Sequence, residues 1–420
     1  MTPPHFSLLS RKELVMSAWM GRRKWITVSL FLLPTILAIL VFNVYPILLN
    51  TYISFTNRNK FRPNPDCEVT LTGLLDPLCW PAFRENAPTG LGNPYTIQDP
   101  ILANYDTLMG KLFQPEALFG LFLIIVVFAP LFGVSYFNKR QERKLDEKIA
   151  PGLLWILGII LTIALFFLLD VPNSIKTLMD TGDFLAVVLR TVLFVALRVP
   201  LTFVLGLILA LILNLEDLKG KTFFRVVLFI PWGASSVAIL LALVWQFLFR
   251  QQGTINQIIT QFGGTGPIWL NNPILAFGVV VLADIWFSYP FFMVSILGAL
   301  QSVPGELYEA AEVDGAGWWT QLTKITLPLI RPAVLPAAVL TSITAFQMFG
   351  TAYAITGGGP QRGAGTPGAT EFVMVYAFKQ IFQQQNYGRA TAFAVLIFIM
   401  LFLATLYSLR VTKMTKGAYE

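Results

Sequence analysis

Three stretches of this chain place hydrogen-bonding and aromatic groups inside otherwise apolar runs. ADIWFSYPFFM carries Asp284, Trp286, Ser288 and Tyr289 just ahead of Pro290. IPWGASS carries Trp232, Ser235 and Ser236 after Pro231. Thr341, Thr344 and Gln347 lie along a third such run. Asp284 and Ser288 are spaced i to i+4, so a helix puts both on one face. Carboxylate, hydroxyl, amide and indole groups in an apolar wall can hold a polar solute by hydrogen bonding and ring stacking. An ionisable side chain near the middle of an apolar run is costly and marks a functional position by default. For Asp284 two readings fit: contact with a solute, or a hydrogen bond tying two helices together. Arg190 and Arg198 fall in or near another apolar run. Arg190 reads as snorkelling to the interface, and Arg198, deeper, as a partner for a carboxylate.

Most covalent and metal chemistry lacks its parts. His5 is the only histidine, in a polar N-terminal stretch, so His-ligated metals, proton relays and Ser-His-Asp catalysis are excluded as readings. Two cysteines, Cys67 and Cys79, do not complete a four-ligand zinc site. LKGKT at 218–222 ends like a phosphate-binding loop, but Leu215 stands where the first glycine belongs and no strand precedes it. GAGTPG at 363–368 fits a dinucleotide fingerprint only in letters, without a strand–turn–helix context. The chain therefore reads as non-catalytic, with no cofactor or metal of its own.

The elements that must carry these residues follow from composition. Hydrophobic residues make up 55% of the 420 positions and charged residues 13%, against about 25% charged in an ordinary soluble domain. Apolar runs near the ~20 residues needed to cross a bilayer occur at about 26–48, 118–137, 151–170, 186–213, 226–249, 273–300, 331–355 and 389–410. The fold class is thus all-α and integral to the membrane, with eight transmembrane helices, because lipid satisfies no open strand edge. The first run follows Arg22, Arg23 and Lys24 without a small-x-small cleavage site and reads as an uncleaved anchor. Lys and Arg concentrate in 1–25, in NKRQERKLDEK, around Lys219–Arg225 and in the tail at 412–420, which places both termini in the cytoplasm. The net charge of +7 is then a topological signal rather than a nucleic-acid footprint. The segment 49–117 becomes an external loop or small cap. Cys67 and Cys79 lie in it, on the oxidising side, either bridged or as two thiols.

Between the sixth and seventh runs lies VPGELYEAAEVDGAG, followed by WWTQLTKITLP. Pro304 and Gly305 break the preceding helix, Glu306–Val313 are good helix formers, and Gly315 and Gly317 interrupt again. A second short helix, Trp318–Thr326, should stop at Leu327-Pro328. Two short helices at an angle result, offering Glu309 and Glu312 as charge and Tyr308, Trp318 and Trp319 as apolar surface. They fit either a bland amphipathic loop or a surface for another protein.

Glu309, Ala310, Ala311, Gly315, Ile325, Leu327 and Pro328 reproduce E-A-A-x3-G-x9-I-x-L-P with every spacing intact. The stretch resembles the EAA loop of ATP-binding-cassette importer permeases. NLEDLKGKTFFRVVLFIPW, ADIWFSYPFFM and AITGGGP are similar to the sugar branch of that family, close to its MalF type, over about 184–411. The first three spans, at about 26–48, 118–137 and 151–170, resemble the extra N-terminal spans of that type only in arrangement.

The resemblance implies a type I importer core (MetI-like) at 184–411, with the EAA loop at 303–330 seated on a separate ATP-hydrolysing subunit that binds ATP and magnesium. It further implies a second permease subunit of MalG type, two ATP-binding subunits, an external sugar-binding protein and a bacterial inner-membrane location. The matching sugar positions are Trp232, Ser236, Asp284, Ser288 and Thr341, beside Thr344 and Gln347 of the seventh run; Ala345 departs, having no donor to offer. An importer for glycerol phosphate, amino acids or peptides would favour several cations along the pathway. An ATP-independent transporter would leave the EAA loop without a partner.

Overall fold

The structure is a computed structural model and describes residues 22–62, 94–112, 115–141, 151–174, 183–215, 217–361 and 366–412. Cys67 and Cys79 lie outside the described residues. The described chain is helical: α1 Arg22–Ile39, α2 Tyr45–Ile53, α3 Ala103–Leu112, α4 Pro115–Gln141, α5 Pro151–Leu168, α6 Asp183–Asn214, α7 Lys221–Gly233 and α8 Ala238–Leu248. There follow α9 Thr254–Gln261, α10 Pro273–Leu300, α11 Glu306–Val313, α12 Trp318–Gln321, α13 Leu327–Phe346, α14 Gly350–Thr356, α15 Val373–Phe382 and α16 Tyr387–Thr412. Among the described residues β-pairing is limited to two isolated bridges, Thr56–Ile97 and Asn59–Arg62.

The chain forms two compact units. One holds the chain up to Asn104 with Asn386–Val395; the other holds Tyr105–Gln385 and the chain from Leu396 on. In the first, the Asn104 amide donates to the carbonyls of Ser54 and Thr56, at 2.8 and 2.9 Å, and so caps the buried C-terminal end of α2. Arg58 lies over the ring of Tyr95 and its carbonyl accepts from the Gly388 amide.

In the second unit α6 and α10 pack along their length and form the spine. Leu207, Ala210 and Leu213 of α6 meet Tyr289, Phe292, Met293 and Ile296 of α10 in one core cluster. The approach depends on Gly206, where a Cβ would stand 2.7 Å from Phe292 Cβ and 2.9 Å from the Met293 nitrogen. A second cluster joins Phe194, Val279, Val280 and Ala283 to Ile355, Phe372 and Val375.

Among the described residues six helical segments are long and apolar enough to cross a membrane, against the eight expected from sequence. The 226–249 run is not one straight span: α7 and α8 meet at 95° across the 3-10 turn Ala234–Val237, so together they count at most as a seventh. The break falls one turn beyond Pro231, where Gly233 and two serines weaken the helix, rather than at the proline itself. The 151–170 run is the shorter helix α5. The seventh span also shifts. It runs from Trp318 to Phe346, not over 331–355, and gives way at Gln347 to the separate helix α14.

Leu327-Pro328 is therefore no stop. A π-helical turn, Leu322–Thr326, carries α12 into α13. Pro328 falls within the first residues of α13, where its missing N–H costs little.

Candidate functional site

The polar residues singled out in the apolar runs converge on one wall of the second unit. Arg198 of α6 is buried at 5% exposure, and its Nε lies 2.5 Å from Asp284 Oδ2 of α10, itself 6% exposed. Arg198 Nη1 donates to the Thr341 carbonyl of α13 at 3.0 Å, and Nη2 donates to the Ser288 hydroxyl. The guanidinium thus ties three helices that are far apart in sequence. One helical turn on, the Thr202 hydroxyl donates to the Arg198 carbonyl at 2.7 Å. Breaking a buried pair of this kind leaves an uncompensated charge, so the geometry is self-enforcing.

A cavity of about 210 Å³ opens in front of this network, lined by Arg198, Trp232, Ser288, Phe291, Leu340, Thr341 and Thr344. Helix α10 supplies Ser288 and Phe291, α13 supplies Leu340 and its two threonines, and α7 supplies Trp232. The Tyr289 hydroxyl donates to the Leu228 carbonyl at 2.9 Å, fixing α7 beside α10 one turn before Trp232. The Thr344 hydroxyl donates to the Thr341 carbonyl at 3.0 Å, the acceptor that Arg198 also uses. The wall combines an indole face, three hydroxyl groups and one guanidinium with apolar surface.

Of the sequence candidates, Trp232, Ser288, Thr341 and Thr344 are brought together here. Asp284 lies behind the wall, against Arg198, rather than on the cavity. Gln347 caps α13 and is exposed, away from the cavity. Ser236 belongs to the 3-10 turn, its side chain outside the described residues. Ala345 is buried in the core cluster. Trp286 packs on Trp245 of α8, with ring centroids 6.0 Å apart. Arg198 meets a carboxylate, as its depth suggested, but its place on the cavity was not read from sequence. The available signal was one mid-run cation and one mid-run anion. Arg190 does not snorkel: it is buried and donates to the carbonyls of Pro367 and Gly368 at 3.1 and 2.6 Å.

The EAA residues form a second surface. Glu309 and Ala310 are exposed on α11 and Ala311 half-buried. Gly315, at φ +73°, makes the left-handed turn after α11 that a side chain would strain. Ile325 lies in the π-turn, and Leu327 and Pro328 begin α13. The Tyr308 hydroxyl sits 3.0 Å from that of Thr326, holding α11 to the π-turn. Between this helix pair and the ends of α6 and α10 runs a groove of about 570 Å³, with Leu211, Ile212, Leu300, Glu312, Trp318 and Leu322 among its walls.

Long apolar helices around a buried ion pair define a multi-pass helical membrane protein. The model of the family of binding-protein-dependent transport system inner membrane components matches residues 202–413, half of the chain, and the chain belongs to that family. It is 33% identical over 278 residues to the maltose/maltodextrin transport system permease protein MalF of Salmonella typhimurium, covering 64% of this chain and 51% of that protein. To MalF of Vibrio cholerae it is 29% identical over 331 residues, covering 77% of this chain and 58% of that protein. The chain thus spans little more than half the length of these curated relatives. Among solved structures it is similar to a bacterial importer of the acidic polysaccharide alginate, at 22% identity and TM-score 0.46, covering 62% of this chain and 96% of that one. It is also similar to the MetNI methionine ABC transporter, at 19% identity and TM-score 0.37, covering 54% and 93%.

Proposed function

We propose that this chain is the membrane-spanning permease subunit of an ATP-driven, binding-protein-dependent sugar importer. It forms half of the translocation pathway and takes a neutral oligosaccharide, of the maltose or trehalose kind, inward. The observation that carries this reading is the cavity of Trp232, Ser288, Thr341 and Thr344. Hydroxyls match hydroxyls, the indole face suits a sugar ring, and the cavity's one cation is already matched by Asp284. At about 210 Å³ the cavity is small for a disaccharide, in keeping with a site completed by a second, MalG-type permease subunit.

In this reading both termini and the α11–α12 pair are cytoplasmic. Glu309, Ala310, Ala311, Gly315, Ile325, Leu327 and Pro328 then meet one of two ATP-binding subunits, and an external sugar-binding protein delivers the solute. ATP and magnesium belong to the partner chains, and this chain performs no catalysis. A transporter for glycerol phosphate or another anion would present an unmatched cation here.

The test is reconstitution in vesicles with the subunits encoded beside it. Sugar uptake that requires ATP inside and the external protein outside is expected. Uptake that persists without any co-purifying ATPase would overturn the proposal.

A further inference from the structure

Arg198 is the only charged residue on the cavity wall among the described residues. A guanidinium carries five N–H donors. Two are committed as hydrogen bonds within the protein, one on Nη1 to the Thr341 carbonyl and one on Nη2 to Ser288, while Nε faces Asp284 across an ion pair. One N–H on each Nη remains, at a side chain that is nine-tenths buried and borders the cavity. Asp284, one helical turn before Ser288 on α10, is not among the residues that line the cavity. A solute in the cavity therefore meets donors whose charge is cancelled by a carboxylate off the lining.

We propose that Arg198 reads the solute and that Asp284 sets the charge it reads, making the cavity select uncharged polyhydroxyl solutes over acidic ones. An isolated guanidinium in a water-poor wall would attract carboxylates strongly. With its counter-ion 2.5 Å away, the same group offers oriented hydrogen bonds with little net field. Hydroxyl oxygens remain good acceptors for it. A carboxylate would have to bring a net negative charge into a membrane-embedded site whose own charges already cancel, and would find no gain to offset its lost hydration. Ser288 and the Thr341 carbonyl hold the guanidinium in one plane, so the direction of the free N–H groups is fixed as well. The inference rests on the sugar reading above and adds the property by which the site discriminates.

The experiment uses the full chain assembled with its partner subunits in detergent, titrated with maltose and with digalacturonate while ligand-observed NMR follows binding. Wild type is expected to prefer maltose. Asp284→Asn leaves one net positive charge and should move the ratio toward digalacturonate by roughly tenfold. The double variant Arg198→Gln/Asp284→Asn removes both charges together; it should bind maltose about tenfold more weakly, having lost charge-assisted donors, and still disfavour digalacturonate. The double variant decides the matter even if Asp284→Asn fails to assemble. A mere tie between helices predicts unchanged maltose affinity in the double variant and an unchanged ratio in any assembled Asp284→Asn; either result overturns the proposal while leaving the sugar reading intact. Absence of saccharide binding to assembled wild type overturns both.

Discussion

The wall of the cavity and the α11–α12 pair differ in how their chemistry is satisfied. On the wall, Arg198 is spoken for by Asp284, Ser288 and Thr341, and the residues carrying that charge are almost wholly buried. On the helix pair, Val313, Trp318 and Trp319 are 88, 64 and 67% exposed, and Glu309 is exposed beside them. Charges within a bilayer must find partners in their own chain, because no water is there to serve. A surface outside it, where the proposed function puts the α11–α12 pair, can leave aromatic and charged groups bare for a docking protein. The first region should therefore fail by misfolding and the second by losing a partner.

That contrast can be broken or sharpened by substitution. The largest effect is expected for Asp284→Ala, which strands Arg198 and should cost about 3–5 kcal/mol of stability. Folded yield and unfolding temperature of the purified protein report it, and wild-type values for both would erase the distinction. Next comes Glu309→Lys. It should leave insertion and unfolding temperature unchanged while lowering vesicle uptake by at least about tenfold, through a reversed charge at the proposed ATPase contact. Normal uptake with normal ATPase stimulation would remove the docking role.

A smaller effect, about 1–3 kcal/mol, is expected for Gly206→Val, which overpacks the α6–α10 contact two turns from Arg198. Thermal unfolding measures it, and a gain in stability would mean the two helices do not pack as described. Smallest is Tyr308→Phe, which loses the hydroxyl contact with Thr326 at about 0.5–1.5 kcal/mol. Faster protease cleavage between α11 and α12 should reveal that loosening, with the rest of the protein equally resistant.

Much of this was legible in the sequence because the signals are local. The i to i+4 spacing of Asp284 and Ser288 held, since it needs only one helix. The α11 boundaries, Glu306–Val313, followed from Pro304, Gly305 and Gly315. What escaped depends on partners distant in sequence. Arg198 reaches Ser288 across 90 positions and Thr341 across 143, so no spacing rule could aim it. Arg190 looked like an interfacial cation until the carbonyls of Pro367 and Gly368 met it. The stop assigned to Leu327-Pro328 failed for a different reason. A proline at the start of a helix is harmless, and the wider π-turn before it lets the chain continue.

That continuity has a mechanical meaning. From Trp318 to Phe346 the chain is one continuous helical span of 29 residues, interrupted by the π-turn Leu322–Thr326 but not broken, and roughly 43 Å long at the usual helical rise. Trp318, beside the groove, and Thr341, on the cavity, are fixed points on the same shaft. A continuous helix carries a push at one end toward the other, and Thr341 holds the carbonyl that orients Arg198. Leverage between the two surfaces is thus built into a single piece of secondary structure.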